Sequence, residues 1–115
     1  MSQENLGLKA FTANSTIQMF ELVSLVDGTT VIRCAADAVP VGVAQESVTV
    51  SGSHVTVKLL NSGGTMKIKA GAAIAAAAAC YEGATGMMAS SGDTVVGTAL
   101  EAATASGDVI EVLVA

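Results

Sequence analysis

The chain has 115 residues, room for one modest hydrophobic core and not for two. Apolar residues make up 51%, which excludes a disordered tail, yet two Phe, one Tyr and no Trp leave few large anchors. Five Lys and Arg face ten Asp and Glu, a net charge of −5. No basic stripe is available for a phosphate backbone or an anionic bilayer, so neither nucleic acid nor membrane is an expected partner.

The opening MSQENLGLKAF carries Glu4 where a secretory leader needs positive charge, and no Leu-rich run follows. Synthesis in a host cytoplasm is the expectation. Residues 1–11 read as an arm mixing Leu6, Leu8 and Phe11 with polar residues such as Gln3. FELVSLV (20–26) is rich in β-branched and aromatic residues and reads as a strand ending at the Asp27-Gly28 turn. HVTVKLL (54–60) alternates, with Val55, Val57 and Leu59 on one face and His54, Thr56 and Lys58 on the other. After Gly63-Gly64, TMKIK (65–69) alternates again with Met66 and Ile68 inward.

AGAAIAAAAACYEGATG (70–86) is ambiguous. Alanine favours helix by only a few tenths of a kcal/mol per residue over its ordinary competitors, and so short a run is marginal as an isolated helix. The expectation is a strand over 77–82, entered through a loop at 70–75 that has room for a helical turn. A helix of one to two turns is the alternative.

A duplication supports the strand. VGVAQESVTVSGSHVTVKL (41–59) lies over VGTALEAATASGDVIEVLV (96–114) without a gap, with eight of nineteen positions identical. Extended upstream at the same offset of 55, LVDG (25–28) lies over CYEG (80–83), which puts Cys80 in the place of Leu25 and Cys34 over Ala89. SGS (51–53) and SGD (106–108) are tight-turn material between alternating runs, so each unit ends in a hairpin. The pattern predicts eight to ten short strands in an all-β fold: a small compact barrel or sandwich with an internal two-fold repeat. It reads as one domain over 1–115, with repeat units at about 19–59 and 74–114. On the last strand, Val109 and Leu113 replace His54 and Lys58 and leave Glu111 as the only outward charge, so this face is a candidate contact surface.

Catalytic chemistry needs convergent reactive groups. His54 is the only histidine and points outward. Cys34 and Cys80 have no counterpart in the other copy and form no CxxC, which makes them buried small hydrophobes. Glu46 and Glu101 occupy the same place in the two copies, so each is expected to tether its own local turn. No catalytic, cofactor or metal site is assigned. Met66-Lys67-Ile68 resembles the Met-Lys-Met/Leu tripeptide of biotinyl and lipoyl carrier domains, giving a carrier modified on Lys67 as one alternative function. A small ligand-binding barrel is another.

The segments LKAFTANSTI (8–17), VDG (26–28), PVGVAQES (40–47), KAGAAI (69–74), CYEGATG (80–86) and VVGTALEAATASGDVIEVLV (95–114) carry a resemblance. Together they are similar to the small capsid decoration, or cement, proteins of tailed bacteriophages. That family runs KAGxxIxAGxxVYxxxDG, then PIGxALExAxAGDxVxVLL. AAAAA (75–79) departs from its AGD-type turn, and AQES (44–47) from its ALE. The resemblance implies a non-enzymatic structural protein on the outer capsid surface of the virion. Such a protein is commonly a homotrimer that bridges subunits of the major capsid protein, without a cofactor. Gln3, Leu6, Leu8 and Phe11 of the arm, with Val109 and Leu113, are the expected partner-binding residues.

Overall fold

A computed structural model describes residues 8–34, 38–60, 64–83, 86–92 and 94–114. Ten short strands follow one another: β1 (Leu8–Ala13), β2 (Leu22–Leu25), β3 (Thr30–Arg33), β4 (Gly42–Ala44), β5 (His54–Leu59), β6 (Thr65–Lys69), β7 (Ala79–Glu82), β8 (Met88–Ala89), β9 (Val95–Ala99) and β10 (Val109–Val114). The first five close into a barrel in the order β1-β3-β2-β4-β5, because β5 also pairs antiparallel with β1. The last five form a similar sheet, β6-β10-β9-β7-β8. Where barrel one has the parallel pair β1–β3, the second unit has one parallel bridge, Ala70 to Met88. The fold is all-β and duplicated, as the sequence pattern predicts.

The duplication reaches further upstream than residue 19, and at a different offset. Phe11 pairs with Val55 and Ile68 with Ile110; Ile17 bridges Val48 and Ile74 bridges Ala103. The left-hand partners are therefore 57 residues apart (17 to 74) and the right-hand partners 55 (48 to 103). Val23 and Cys80 both face the glycine of the next strand, Gly42 and Gly97, so Cys80 stands in the place of Val23 and not of Leu25. Cys34 likewise does not lie over Ala89, whose counterpart is Ile32. The gapless alignment fails because eight residues separate Arg33 from Gly42 while six separate Ser90 from Gly97. A two-residue difference in one connection moves everything before it.

The alanine tract holds no helix. Ile74 is pinned to Ala103 by reciprocal backbone hydrogen bonds of 3.0 and 2.8 Å, a turn follows at 76–77, and the chain enters β7 at Ala79. The equivalent stretch in barrel one repeats this with Ile17 and Val48 at 2.9 and 2.7 Å. Phe20 and Ala77 hold the matching turn position at φ 69° and 68°, the two non-glycine residues with positive φ among those described. A backbone that costs about 1–2 kcal/mol per residue for an L-amino acid is adopted twice, so the turn is imposed by packing and not by local propensity.

Two clusters of buried side chains fill the units, where chain length alone suggests a single core. Barrel one encloses Phe11, Ala13, Ile17, Val23, Val31, Ala44, Val48, Val55 and Val57. Their counterparts in the second cluster are Ile68, Ala70, Ile74, Cys80, Met88, Ala99, Ala103, Ile110 and Val112. The second cluster also takes in Leu22, Cys34 and Val43 from the outside of barrel one. The β2–β4 face of barrel one is thus the seat of the second unit. The same face of the second unit carries Ala79 and Thr98, both exposed, in place of Leu22 and Val43.

Candidate functional site

The reactive side chains singled out in the sequence do not converge. Glu46 Oε2 accepts the Thr56 N–H and Glu101 Oε2 the Glu111 N–H, each at 2.9 Å. The duplicated carboxylates tether equivalent turns of their own units, as expected. His54 is exposed at the start of β5. Both thiols are buried; burial, with a smaller push from the Glu82 carboxylate, raises Cys34 to about 11, and burial also raises Cys80. Among the described residues no three His, Cys, Asp or Glu lie together in a way that holds a metal ion. Lys67 is exposed in the middle of β6, opposite Glu111 of β10, and not at a hairpin tip.

Two buried carboxylates escaped the sequence reading, because acidic residues in alternating runs look solvated. Glu21 is 3% exposed at the seam between the units; its Oε1 accepts the Gln18 N–H at 2.9 Å and pairs with Arg33 Nε at 3.0 Å. Glu82, 2% exposed, accepts the Thr94 N–H at 3.0 Å through Oε1 and stitches β7 to the approach to β9. Glu82 Oε2 has no hydrogen-bond partner among the described residues. Both groups brace the scaffold.

Two aspartates shape turns, Asp27 exposed and Asp108 half-buried. Asp108 accepts from the Thr104 N–H at 2.9 Å, the Thr104 hydroxyl at 3.0 Å and the Ala105 N–H at 3.2 Å. Asp27 does the same for the Thr29 N–H and hydroxyl and the Thr30 N–H. The backbone hydrogen bond from Thr104 and that from Thr29, respectively, do most to hold these carboxyls below their usual range. A carboxyl with a lowered folded pKa contributes its full stabilisation above the ordinary aspartate value, near 3.9. That contribution is lost as the pH falls through the folded value. Wild type is therefore expected to exceed Asp108→Asn in stability at pH 5, with the gap closing toward pH 2. Denaturant midpoints measured across that range check this; a constant gap removes Asp108 from the account.

Both units expose large apolar side chains, Met19, Leu25, Val26, Val39 and Val50 being those of barrel one. Val95, Leu100, Val109 and Leu113 are 49, 48, 38 and 47% exposed on the β9–β10 side of the second unit. Barrel one has Pro40, Gln45, His54 and Lys58 at these positions. The two cations of the second unit, Lys67 and Lys69, lie on neighbouring β6, opposite Glu111 and Val109. Val109 and Leu113 are thus available for contact. Leu8 is half-buried on the first strand, while Phe11 points into the core of barrel one at 5% exposure and offers nothing to a partner. The reason is register: β1 begins at Leu8 and its alternation turns Phe11 inward against Val55. Gln3 and Leu6 fall outside the described residues.

No protein-family model matches the chain, and no curated protein does. Among solved structures, the fold is similar to the N base of the head fiber protein gp8.5 of bacteriophage phi29. The TM-score is 0.79 at 21% identity, covering 94% of this chain and 92% of that one. At this identity the likeness establishes the shared fold.

Proposed function

We propose that this chain is a non-enzymatic accessory protein of a tailed-phage virion, which binds the outer face of the assembled capsid and bridges subunits of the major capsid protein. The observation that carries the reading is the near-complete overlap, over both chain lengths, with the base of a phage head fiber. The GxALExAxxxGDxxxVLV pattern at 97–114 resembles that of the tailed-phage capsid decoration proteins. In this reading the segment before Leu8 supplies the capsid contact, and the Val109–Leu113 face joins copies into a homotrimer.

The physical properties suit the role. A barrel closed through β5 and β1 leaves that unit no free sheet edge, so contacts fall to side-chain faces, loops and the leading segment. Each contact is weak by itself, but a trimer engaging several subunits at once raises effective concentration and slows release. A net charge of −5 keeps such a protein off packaged DNA while it sits on the shell.

The test mixes purified protein with DNA-free shells of the phage that encodes it. Co-sedimentation at saturable stoichiometry is expected. Deleting residues 2–7, which leaves β1 whole, is expected to lower occupancy at least tenfold. The double change Val109→Lys, Leu113→Lys is expected to convert trimers to monomers in a solution mass measurement. Absence of shell binding by the intact chain would remove the proposal; an unaffected deletion variant would move the contact away from the leading segment.

A further inference from the structure

We infer that the joint between the two units is a two-state clasp, in which the same backbone groups either seal the second barrel or hold it to the first. The observation is a single exchange of hydrogen-bond partners between copies. In barrel one the seam between β1 and β3 is closed by the Thr12 N–H donating to Thr29 O at 2.9 Å, followed by the Asn14 N–H to Val31 O at 2.8 Å. In the second unit the follower is conserved, Gly71 N–H to Met88 O at 2.8 Å. The first bond is diverted. The Lys69 N–H, the counterpart of Thr12, donates at 2.8 Å to Phe20 O, a carbonyl of barrel one.

The partner it would otherwise meet is residue 86, the counterpart of Thr29. Gly86 has moved to the joint as well: its N–H donates to Cys34 O at 2.8 Å. Lys69 Nζ adds a hydrogen bond to Gln18 Oε1 at 2.8 Å. This diversion is why the second sheet keeps one bridge between its outer strands where barrel one has a ladder. The carbonyl is delivered by the Phe20 turn at positive φ; the matching Ala77 turn of the second unit is exposed.

Residue identity at the switch position follows the state. Gly86 is buried at φ 77°, and an added Cβ would meet Arg33 Cγ at 2.7 Å, Leu22 O at 3.1 Å and Glu21 Cβ at 3.2 Å. Thr29, in the sealed barrel, is exposed and has no positive φ. A side chain is accepted when the seam is closed on itself and rejected when it is clasped. Separation of the units thus exchanges one satisfied Lys69 N–H for another, instead of leaving a buried donor unpaired at about 1–3 kcal/mol. The opposing term is loss of the Leu22, Cys34 and Val43 contacts.

Gly86→Thr imports the residue of the sealed barrel and is the direct test, read by scalar coupling across the hydrogen bond in the labelled full chain. In wild type the Lys69 amide should couple to the Phe20 carbonyl. In the variant it should couple to the carbonyl of residue 86, and the radius of gyration should rise above the compact 13.0 Å while the β9–β10 amides stay protected. A second variant leaves the switch residue native. Leu22→Ala with Val43→Thr imports the residues the second unit carries on its own uncovered face, and is expected to make the same change of acceptor. Retention of the Phe20 coupling in both variants overturns the clasp. So does a Lys69 amide that loses every acceptor and exchanges as an open donor.

Discussion

Gly97→Ala is expected to destabilise the protein by roughly 1–3 kcal/mol, a sizeable part of the 5–15 kcal/mol that holds a typical domain together. An added Cβ would collide with Leu113 O and sit 2.9 Å from Val112 Cγ1. Neither neighbour can step aside cheaply, because Leu113 belongs to the ladder that pairs β10 with both β9 and β6. Gly42 in barrel one faces the same obstruction, with Val57 Cγ1 and with Lys58 O at 2.6 Å. The pair makes a matched experiment, since each variant strikes one unit. Urea unfolding monitored through amide signals of each unit should show Gly97→Ala lowering the midpoint of the second unit first. Gly42→Ala should lower both, because the second core leans on barrel one. A loss below about 0.5 kcal/mol at either position would show that the β4–β5 and β9–β10 approaches are looser than described.

Leu22→Ala is expected to cost about 2–5 kcal/mol, the range for removing a fully buried leucine, and to uncouple the units. Leu22 is fully buried although it faces away from the core of its own barrel; what covers it is the second cluster. The cavity therefore opens in the joint. Calorimetry should show one transition splitting into two, with barrel one melting later because its nine core residues all come from its own half. Val23→Ala, one residue further and facing the interior of barrel one, should lower stability without splitting the transition. A single unsplit transition in Leu22→Ala would mean that other contacts carry the coupling. The reverse swap, Ala79→Leu, adds an exposed leucine to an uncovered face and should leave stability within about 0.5 kcal/mol.

The strands and the duplication were legible because both are local in origin. Alternation in HVTVKLL and TMKIK, and turn residues at Gly52 and Gly107, follow from the two-residue period of a strand and from positive φ at a hairpin. The matched tethers of Glu46 and Glu101 could be anticipated for the same reason, since equal residues in equal frames find equal partners. A gapless comparison carries the offset of 55 upstream of residue 41, because it has no way to register two residues missing from one connection. Phe11 reads as part of an arm in the sequence because its strand partner, Val55, lies 44 residues away. The candidate surface was legible in part. Val109 and Leu113 stood out against His54 and Lys58, whereas Val95 and Leu100 join them only once β9 is laid beside β10.

By itself the sequence determined that the chain is all-β, built twice, acidic and poor in groups that do chemistry, since composition and periodicity act over a few residues. Only the tertiary structure decided that the two copies differ in role. Whether Leu22 is core or surface, whether Glu82 is solvated, and where the Lys69 N–H finds its acceptor depend on which barrel face the second unit covers. That is a relation between segments tens of residues apart, and it leaves no periodic trace in either one.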